Sequence, residues 1–284
     1  MADFEKEFAD LLGDDISDVV EDGNNIFDEP EASTEETFGG IQNTLGGEFD
    51  MTSGTKTDVD LVLCIDVTIS MKPIIDTVKG MALSLYDDMV AALAKKRRKV
   101  NEFRVKVIAF RDYYCDGQFA MAESQFFSLP KETAAFSEYV LGLKADGGGD
   151  EPENALEAIA LAMKSDWVHA ISTNEKARNI IVVFTDASAH PLEKSAKVIS
   201  EYYPTDMLKS YSQLVDAWQS SGSLGYDRIE KYRMNPRAKR MIVYAPYDMY
   251  PWDDLEKDLE MTMFNDIKEL TSEKIVSDIN SAIV

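Results

Sequence analysis

The sequence predicts an α/β fold: a doubly wound, mostly parallel sheet with one antiparallel edge strand, preceded by an acidic, largely disordered tail. Three observations predict it. Asp60 to Ile65, Asn179 to Thr185 and Arg240 to Ala245 are near-continuous apolar runs, the pattern of strands buried on both faces. Helical patterns separate these runs, and strands alternating with helices make a parallel sheet covered on both sides. Charge is divided unevenly: residues 1–58 hold 17 acidic residues and two lysines, which is −15 of the chain's −23.

The tail, residues 1–57, combines that charge with Gly39-Gly40, Gly46-Gly47 and polar clusters, a composition that cannot bury a core. Within it Phe4, Phe8, Leu11, Leu12, Ile16, Val19 and Val20 recur at near-helical spacing, which predicts an acidic docking helix for a partner or for the chain's own domain. The basic stretch "RIEKYRMNPRAKR", Arg228 to Arg240, is its complementary target within the chain.

Residues 58–284 read as the folded domain. After the first strand comes a long helix, residues 72–95, whose end meets "KKRRK", a solvated run that complements the helix dipole. Phe103 to Phe110 and Gln118 to Phe127 form strand patterns joined by "DYYCDG", predicting an antiparallel hairpin at one edge. Further helices are expected over residues 131–143, 152–165, 206–220 and 253–270, and "SEKIVSDINSAIV" closes the sequence as a short amphipathic helix.

Composition narrows the function. The acidic balance argues against binding nucleic acid through phosphates. No segment approaches the ~18–20 consecutive apolar residues of a membrane span. The opening "MADFEKEFADLL" is acidic where a secretory signal would be basic. Two cysteines, Cys64 and Cys115, are too few for a disulfide scaffold, so a reducing, cytoplasmic setting is the default.

The informative stretch is "LVLCIDVTISMKP". An apolar strand ends in Asp66, and Thr68 and Ser70 follow at alternate positions in a strand-to-helix turn. Ligand sites in open α/β sheets lie beyond the carboxyl ends of the strands. Two other loops reach that edge. "DGGGDEPENALEAI" presents Asp150 after three glycines, with Pro152 at a helix start, and "IIVVFTDASAH" ends a second buried strand in Asp186. Asp66, Thr68, Ser70, Asp150 and Asp186 make an all-oxygen set suited to a hard divalent cation, Mg²⁺ or Mn²⁺. The bland alternative is that these aspartates cap helices and shape turns. Thr185 and Ser188 read as supporting rather than ligating, His190 as a turn residue, and Arg111-Asp112, near the same rim, as positioning the second loop or else as a surface ion pair worth little.

These three loops, each after the right element, resemble the von Willebrand factor A-type domain and its metal-ion-dependent adhesion site. In that family a D-x-[ST]-x-S loop supplies an aspartate and two hydroxyls, a second loop a threonine or aspartate, and a third another aspartate. The resemblance covers residues 58 to about 270 and implies a Rossmann-like fold. "VIAFRDYY", "GGGDEPENALEA" and "VVFTDASAHP" are similar to bacterial intracellular members, including those encoded beside protein kinases and phosphatases in stress-response clusters. This chain departs from the pattern at Ile69 and Ala187, where glycine is common, and at Asp150, where many adhesion-type members have threonine. A third carboxylate lowers the ion's demand for an acidic ligand from a partner.

The resemblance implies a non-enzymatic, metal-dependent protein-interaction module in intracellular signalling or stress response. A kinase, a phosphatase or an AAA-type ATPase is the expected kind of partner. Two other classes compete. A metal-dependent phosphohydrolase needs a poised nucleophile and a general acid, and Val67 stands where an acid would be wanted. An adaptor of an ATP-driven chaperone or chelatase would need its ATPase from another chain, because the sequence has no G-x-x-x-x-G-K-[ST] loop.

Deleting residues 1 to about 55 is expected to leave thermal unfolding cooperative, with a midpoint close to that of the full chain. Loss of the folded domain on truncation would contradict a disordered tail.

Overall fold

The computed structural model describes residues 55–149, 151–167, 175–195, 201–219, 234–235 and 237–283. Nearly all of the acidic tail, Asp150 and most of the basic stretch Arg228–Arg240 lie outside the described residues. The described residues belong to one unit, Gly54–Val284.

Among the described residues, seven strands form one sheet. They are β1 (Thr55–Asp66), β2 (Arg98–Phe110), β3 (Met121–Glu123), β4 (Phe127–Leu129), β5 (Glu175–Phe184), β6 (Lys239–Ala245) and β7 (Thr262–Asp266). The order is β3-β2-β1-β5-β6-β7, with β4 also paired to β2. β1, β2, β5, β6 and β7 run parallel, and β3 and β4 run antiparallel against β2. Register aligns the strand ends, with Asp66 beside Phe110 and Ile65 beside Phe184. The carboxyl ends of the central strands therefore open onto one shared edge.

Period-2 alternation gives the sheet two cores. Leu61, Leu63 and Ile65 point to the face covered by α1 (Lys72–Lys95), α3 (Thr133–Gly142) and α8 (Ser272–Ile283). Val62 and Cys64 point to the other face, under α4 (Ala155–Met163), α6 (Tyr211–Gln219) and α7 (Trp252–Asp258). Two short helices, α2 (Tyr113–Asp116) and α5 (Leu192–Ser195), lie in the loops after β2 and β5. Cys64 is fully buried, its thiol against the Ala158 carbonyl at 3.7 Å, and burial raises its pKa.

Four details differ from the sequence reading. β1 begins at Thr55, so the domain starts before residue 58 and a truncation should stop at Ser53. The "KKRRK" run is divided: Lys95 ends α1, Arg97 takes a positive φ of 55°, and Arg98 opens β2. The expected helix over 253–270 ends at Asp258, because Leu259 turns extended, Met261 adopts φ 65°, and Thr262 starts strand β7. The expected strand Gln118 to Phe127 is a turn followed by β3 and β4. At the break between them, Ser124 Oγ accepts from the Val107 amide at 2.9 Å in place of a backbone carbonyl. The connection before it contains α2 rather than a plain hairpin turn.

The Arg104–Asp60 ion pair is largely buried in the sheet. Arg104 donates from Nε and Nη2 to both oxygens of Asp60, at 2.8 Å each, and Phe126 lies 4.5 Å beneath its guanidinium carbon. Removing one partner strands a buried charge, which costs far more than an exposed pair contributes. Arg104→Ala should lower unfolding free energy by roughly 2–3 kcal/mol in urea titrations, the Arg side chain being slightly exposed. The double variant Asp60→Ala, Arg104→Ala should be less destabilised than the two single losses summed.

Candidate metal centre

The site is built where β1 runs out. After Asp66 the backbone stays extended to Thr68 (φ −71°, ψ 164°), turns through Ile69–Met71, and enters α1 with Pro73 in its first turn. Pro suits that position because its missing N–H would have had no partner there. The Val67 amide donates to the Phe110 carbonyl at 3.0 Å, and the Asp146 amide donates to the Val67 carbonyl at 2.9 Å. The first loop is thus tied to the strand and loop beside it.

Asp66 is fully buried. Its Oδ1 accepts from the Thr68 amide (2.9 Å) and the Thr68 hydroxyl (2.7 Å), and its Oδ2 accepts from the Thr185 hydroxyl (2.7 Å). Ser70 Oγ donates to Asp186 Oδ1 at 3.0 Å, and Thr68 Oγ1 lies 3.2 Å from Ser70 Oγ. Four of the five residues chosen from the sequence are therefore brought together in one row. The fifth, Asp150, lies outside the described residues.

Proton counting shows what the row can hold. Each hydroxyl has one hydrogen. That of Thr68 goes to Asp66 and that of Ser70 to Asp186. With both hydrogens so placed, the lone pairs between Thr68 Oγ1 and Ser70 Oγ are open to a cation; with either hydroxyl turned onto the other, that gap holds a hydrogen bond instead. An octahedral ion with bonds of about 2.1 Å separates neighbouring ligand oxygens by about 3.0 Å. The observed 3.2 and 3.0 Å spacings match such edges. Among the described residues no group of three or more His, Cys, Asp or Glu is placed to hold a metal. The donor set depends on these hydroxyls, and it fits a hard ion.

The glycine loop presses against this row. Gly148 adopts φ 75°, and a Cβ there would stand 2.8 Å from the Thr68 side chain. Only glycine fits both the conformation and the space. Asp116 holds the loop through the Gly148 amide at 3.3 Å. The helix expected at Pro152 starts instead at Ala155. Before it, Glu153 pairs with the third loop: its amide donates to the Ser188 carbonyl (3.0 Å) and its carbonyl accepts from the His190 amide (2.8 Å).

Sequence reasoning did not bring Asp112 and His190 together. Asp112 is buried, caps α2 through the Tyr114 amide, and sits 3.3 Å from His190 Nε2. His190 is thus more than a turn residue, and Asp112 is not in a rim ion pair with Arg111. Arg111 instead reaches the Val67 and Phe119 carbonyls. Burial works against the charge of Asp112, but the His190 and Tyr114 hydrogen bonds outweigh it and hold the carboxyl below its usual range. The available signal was an aspartate two residues beyond the apolar end of β2, as Asp186 stands two residues beyond Phe184 of β5.

A family model described as von Willebrand factor A domain matches residues 60–207. The chain belongs to that family. No curated protein matches significantly. Solved structures similar to this A domain include a von Willebrand factor type A protein from Catenulispora acidiphila, 14% identical, covering 79% of this chain and 42% of that one, TM-score 0.43. Another is the pilus adhesin SpaC from Lactobacillus rhamnosus GG, 11% identical, covering 80% of this chain and 30% of that one, TM-score 0.46. The chain spans less than half the length of either structure.

Burial chiefly, with the Asp186 charge adding to it, raises the Asp66 carboxyl of the A domain to about 6, while the Thr68 and Thr185 hydrogen bonds pull the other way. The folded state then binds this proton more tightly than the unfolded chain. Asp66 contributes stability that is full below about pH 4 and is lost as pH rises through 6. In chelator, the unfolding free energy of wild type relative to Asp66→Asn should fall by on the order of 2–3 kcal/mol between pH 4 and 7. A pH-independent difference would contradict the raised pKa.

Proposed function

We propose that the A domain is a non-enzymatic protein-interaction module whose binding edge is completed by a divalent cation, Mg²⁺ or Mn²⁺. Asp66, Thr68, Ser70 and Asp186 would hold the ion, with Asp150 as a further ligand from the glycine loop. The observation that carries this reading is the hydroxyl pair Thr68–Ser70, 3.2 Å apart and set between the carboxylates of Asp66 and Asp186. When bound, the ion supplies a Lewis-acidic point for an oxygen ligand. The chain's own residues orient the loops around it.

The surroundings favour contact with a protein over chemistry. Ile69 (64% exposed), Tyr114 (74%) and Tyr247 (61%) follow β1, β2 and β6 at this edge. Aromatic and aliphatic groups on a polar rim are what protein interfaces use. The hydrogen bonds of Thr68 and Ser70 run to carboxylates, not to a histidine or lysine that would activate a nucleophile. This disfavours the phosphohydrolase reading. No helix among the described residues is long and apolar enough to cross a membrane. The partner is a protein, of the kinase, phosphatase or AAA-type ATPase kind, met in a cytoplasmic signalling or stress response.

Calorimetry should show one Mg²⁺ or Mn²⁺ site per chain, abolished in Asp66→Ala. The wild-type melting temperature should rise as metal is added, because an ion bound only by the folded state stabilises it. If wild type and Asp66→Ala bind Mg²⁺ equally, or neither binds at millimolar concentration, the three loops are only turns and caps.

A further inference from the structure

The amino-terminal end of the sheet, opposite the metal loops, gathers positive charge. Arg98 opens β2 beside Thr55, Arg178 stands on β5 beside Val59, and Arg240 stands on β6 beside Ile180. Residues paired across parallel strands point to the same face, and Thr55 and Val59 alternate in phase along β1. Val59 and Ile180 belong to the core under α1 and α8. All three arginines therefore share that face, with only β1 between the strands of Arg98 and Arg178.

None of the three forms an ion pair with a carboxylate of the described residues. Their hydrogen bonds run to carbonyls instead. Arg98 Nη1 donates to Ile283 at the end of α8 (3.3 Å), Arg178 Nη1 to Ala177 (2.9 Å), and Arg240 Nη1 to Lys239 (2.7 Å) and Arg237 (3.2 Å). The negative end of the α8 dipole amounts to roughly half an elementary charge, against three positive ones. Arg104, on the other face, shows the contrast: both oxygens of Asp60 answer its fork. Burial first, then the Arg240 and Arg98 charges, lower the Arg178 pKa. A crowded lysine can shed its proton, but a guanidinium keeps its charge. Arg178 is only 8% exposed, whereas Arg98 and Arg240 are half-buried and meet solvent.

We propose that this end of the sheet is an oxyanion site for a phosphate group, which the Arg98 and Arg240 guanidiniums contact while Arg178 beneath them adds its charge. One carboxylate would leave two of the three charges unanswered. A phosphate brings close to two negative charges and at least three acceptor oxygens, and planar guanidinium forks match its geometry. The group is either free phosphate or the phosphorylated side chain of a partner protein. This inference is independent of the metal reading.

The test is a titration of the isotope-labelled full chain, in chelator at low salt. The probes are inorganic phosphate and N-acetyl-phosphoserine methylamide, with N-acetyl-serine methylamide as control. Saturable shifts at Arg98, Arg178 and Arg240 are expected with the phosphate-bearing probes alone. Arg98→Gln and Arg240→Gln should each weaken binding about fivefold or more. Lys95→Gln, an exposed charge at the nearby end of α1, should change it less than about twofold. Tighter binding of phosphoserine than of phosphate assigns the site to a phosphorylated partner, and the reverse order assigns it to the free ion. Asp66→Ala should bind phosphate as wild type does, so failure of the metal reading leaves this result intact. Phosphate at about 10 mM should also raise the wild-type melting temperature, while chloride of equal ionic strength should not. Absence of that rise overturns the proposal even if the arginine variants fail to fold. So does the lack of a saturable shift at tens of millimolar, unchanged binding in folded Arg98→Gln and Arg240→Gln, or an equal loss in Lys95→Gln.

Discussion

The Asp66 carboxylate lies fully buried where β1 leaves the sheet, and its two oxygens are divided between two loops. Oδ1 is held by Thr68 from its own loop and Oδ2 by Thr185 from the loop after β5. Parallel pairing makes this division available, because β1 and β5 are adjacent and end in register. A buried carboxylate must be satisfied by hydrogen bonds or by a cation. The hydrogen bonds that satisfy Asp66 also fix the Thr68 hydroxyl, and Asp186 holds Ser70 Oγ beside it. The geometry suited to a metal thus follows from accommodating two neighbouring acids.

The remaining loops are set by contact with that first one. Gly148 approaches the Thr68 side chain so closely that no Cβ can be inserted, which fixes the path of the chain just before Asp150. Glu153 then pairs with Ala189 as an isolated bridge, joining the glycine loop to the Asp186 loop. Trp252 Nε1, from α7, donates to the Ala187 carbonyl at 3.0 Å and holds the other side of the Asp186 loop. Rigid strands position these ends, and short loop-to-loop bonds complete them.

Local spacing made much of this legible. Asp66, Thr68 and Ser70 stand out because a strand end and alternate hydroxyls lie within five residues, and Asp186 because it repeats the strand-end pattern. The central strands were equally plain, as their apolar runs serve two cores at once. What stayed hidden depends on partners remote in sequence. Leu255, Leu259 and Met263 keep helical spacing, yet Met261 breaks the helix and β7 pairs with β6. Ser124 interrupts the edge strand through a side-chain bond to Val107 that no pattern of hydrophobicity encodes. Asp112 and His190 meet only because the bridge at Glu153 brings the third loop beside β2.

Asp66 and Asp112 show how one edge gives two similar acids opposite electrostatics. Asp66 ends β1 and Asp112 lies two residues past the end of the adjacent parallel β2; both are almost fully buried, and in both burial by itself works against the charge. Both also accept a backbone amide two residues on. The difference lies in the donors. Asp66 has only neutral ones, the Thr68 and Thr185 hydroxyls and the Thr68 amide, against a burial cost to which the Asp186 charge adds a little. Asp112 faces His190, whose ring donates to it and attracts its charge. Hydroxyls only partly offset desolvation, so Asp66 stays pushed up to about 6 and has most to gain from a cation. Asp112 is held ionised chiefly by His190, with the Tyr114 amide and the Cys115 side chain adding to it. The same strand-end position thereby yields one acid short of positive charge and one already committed to it.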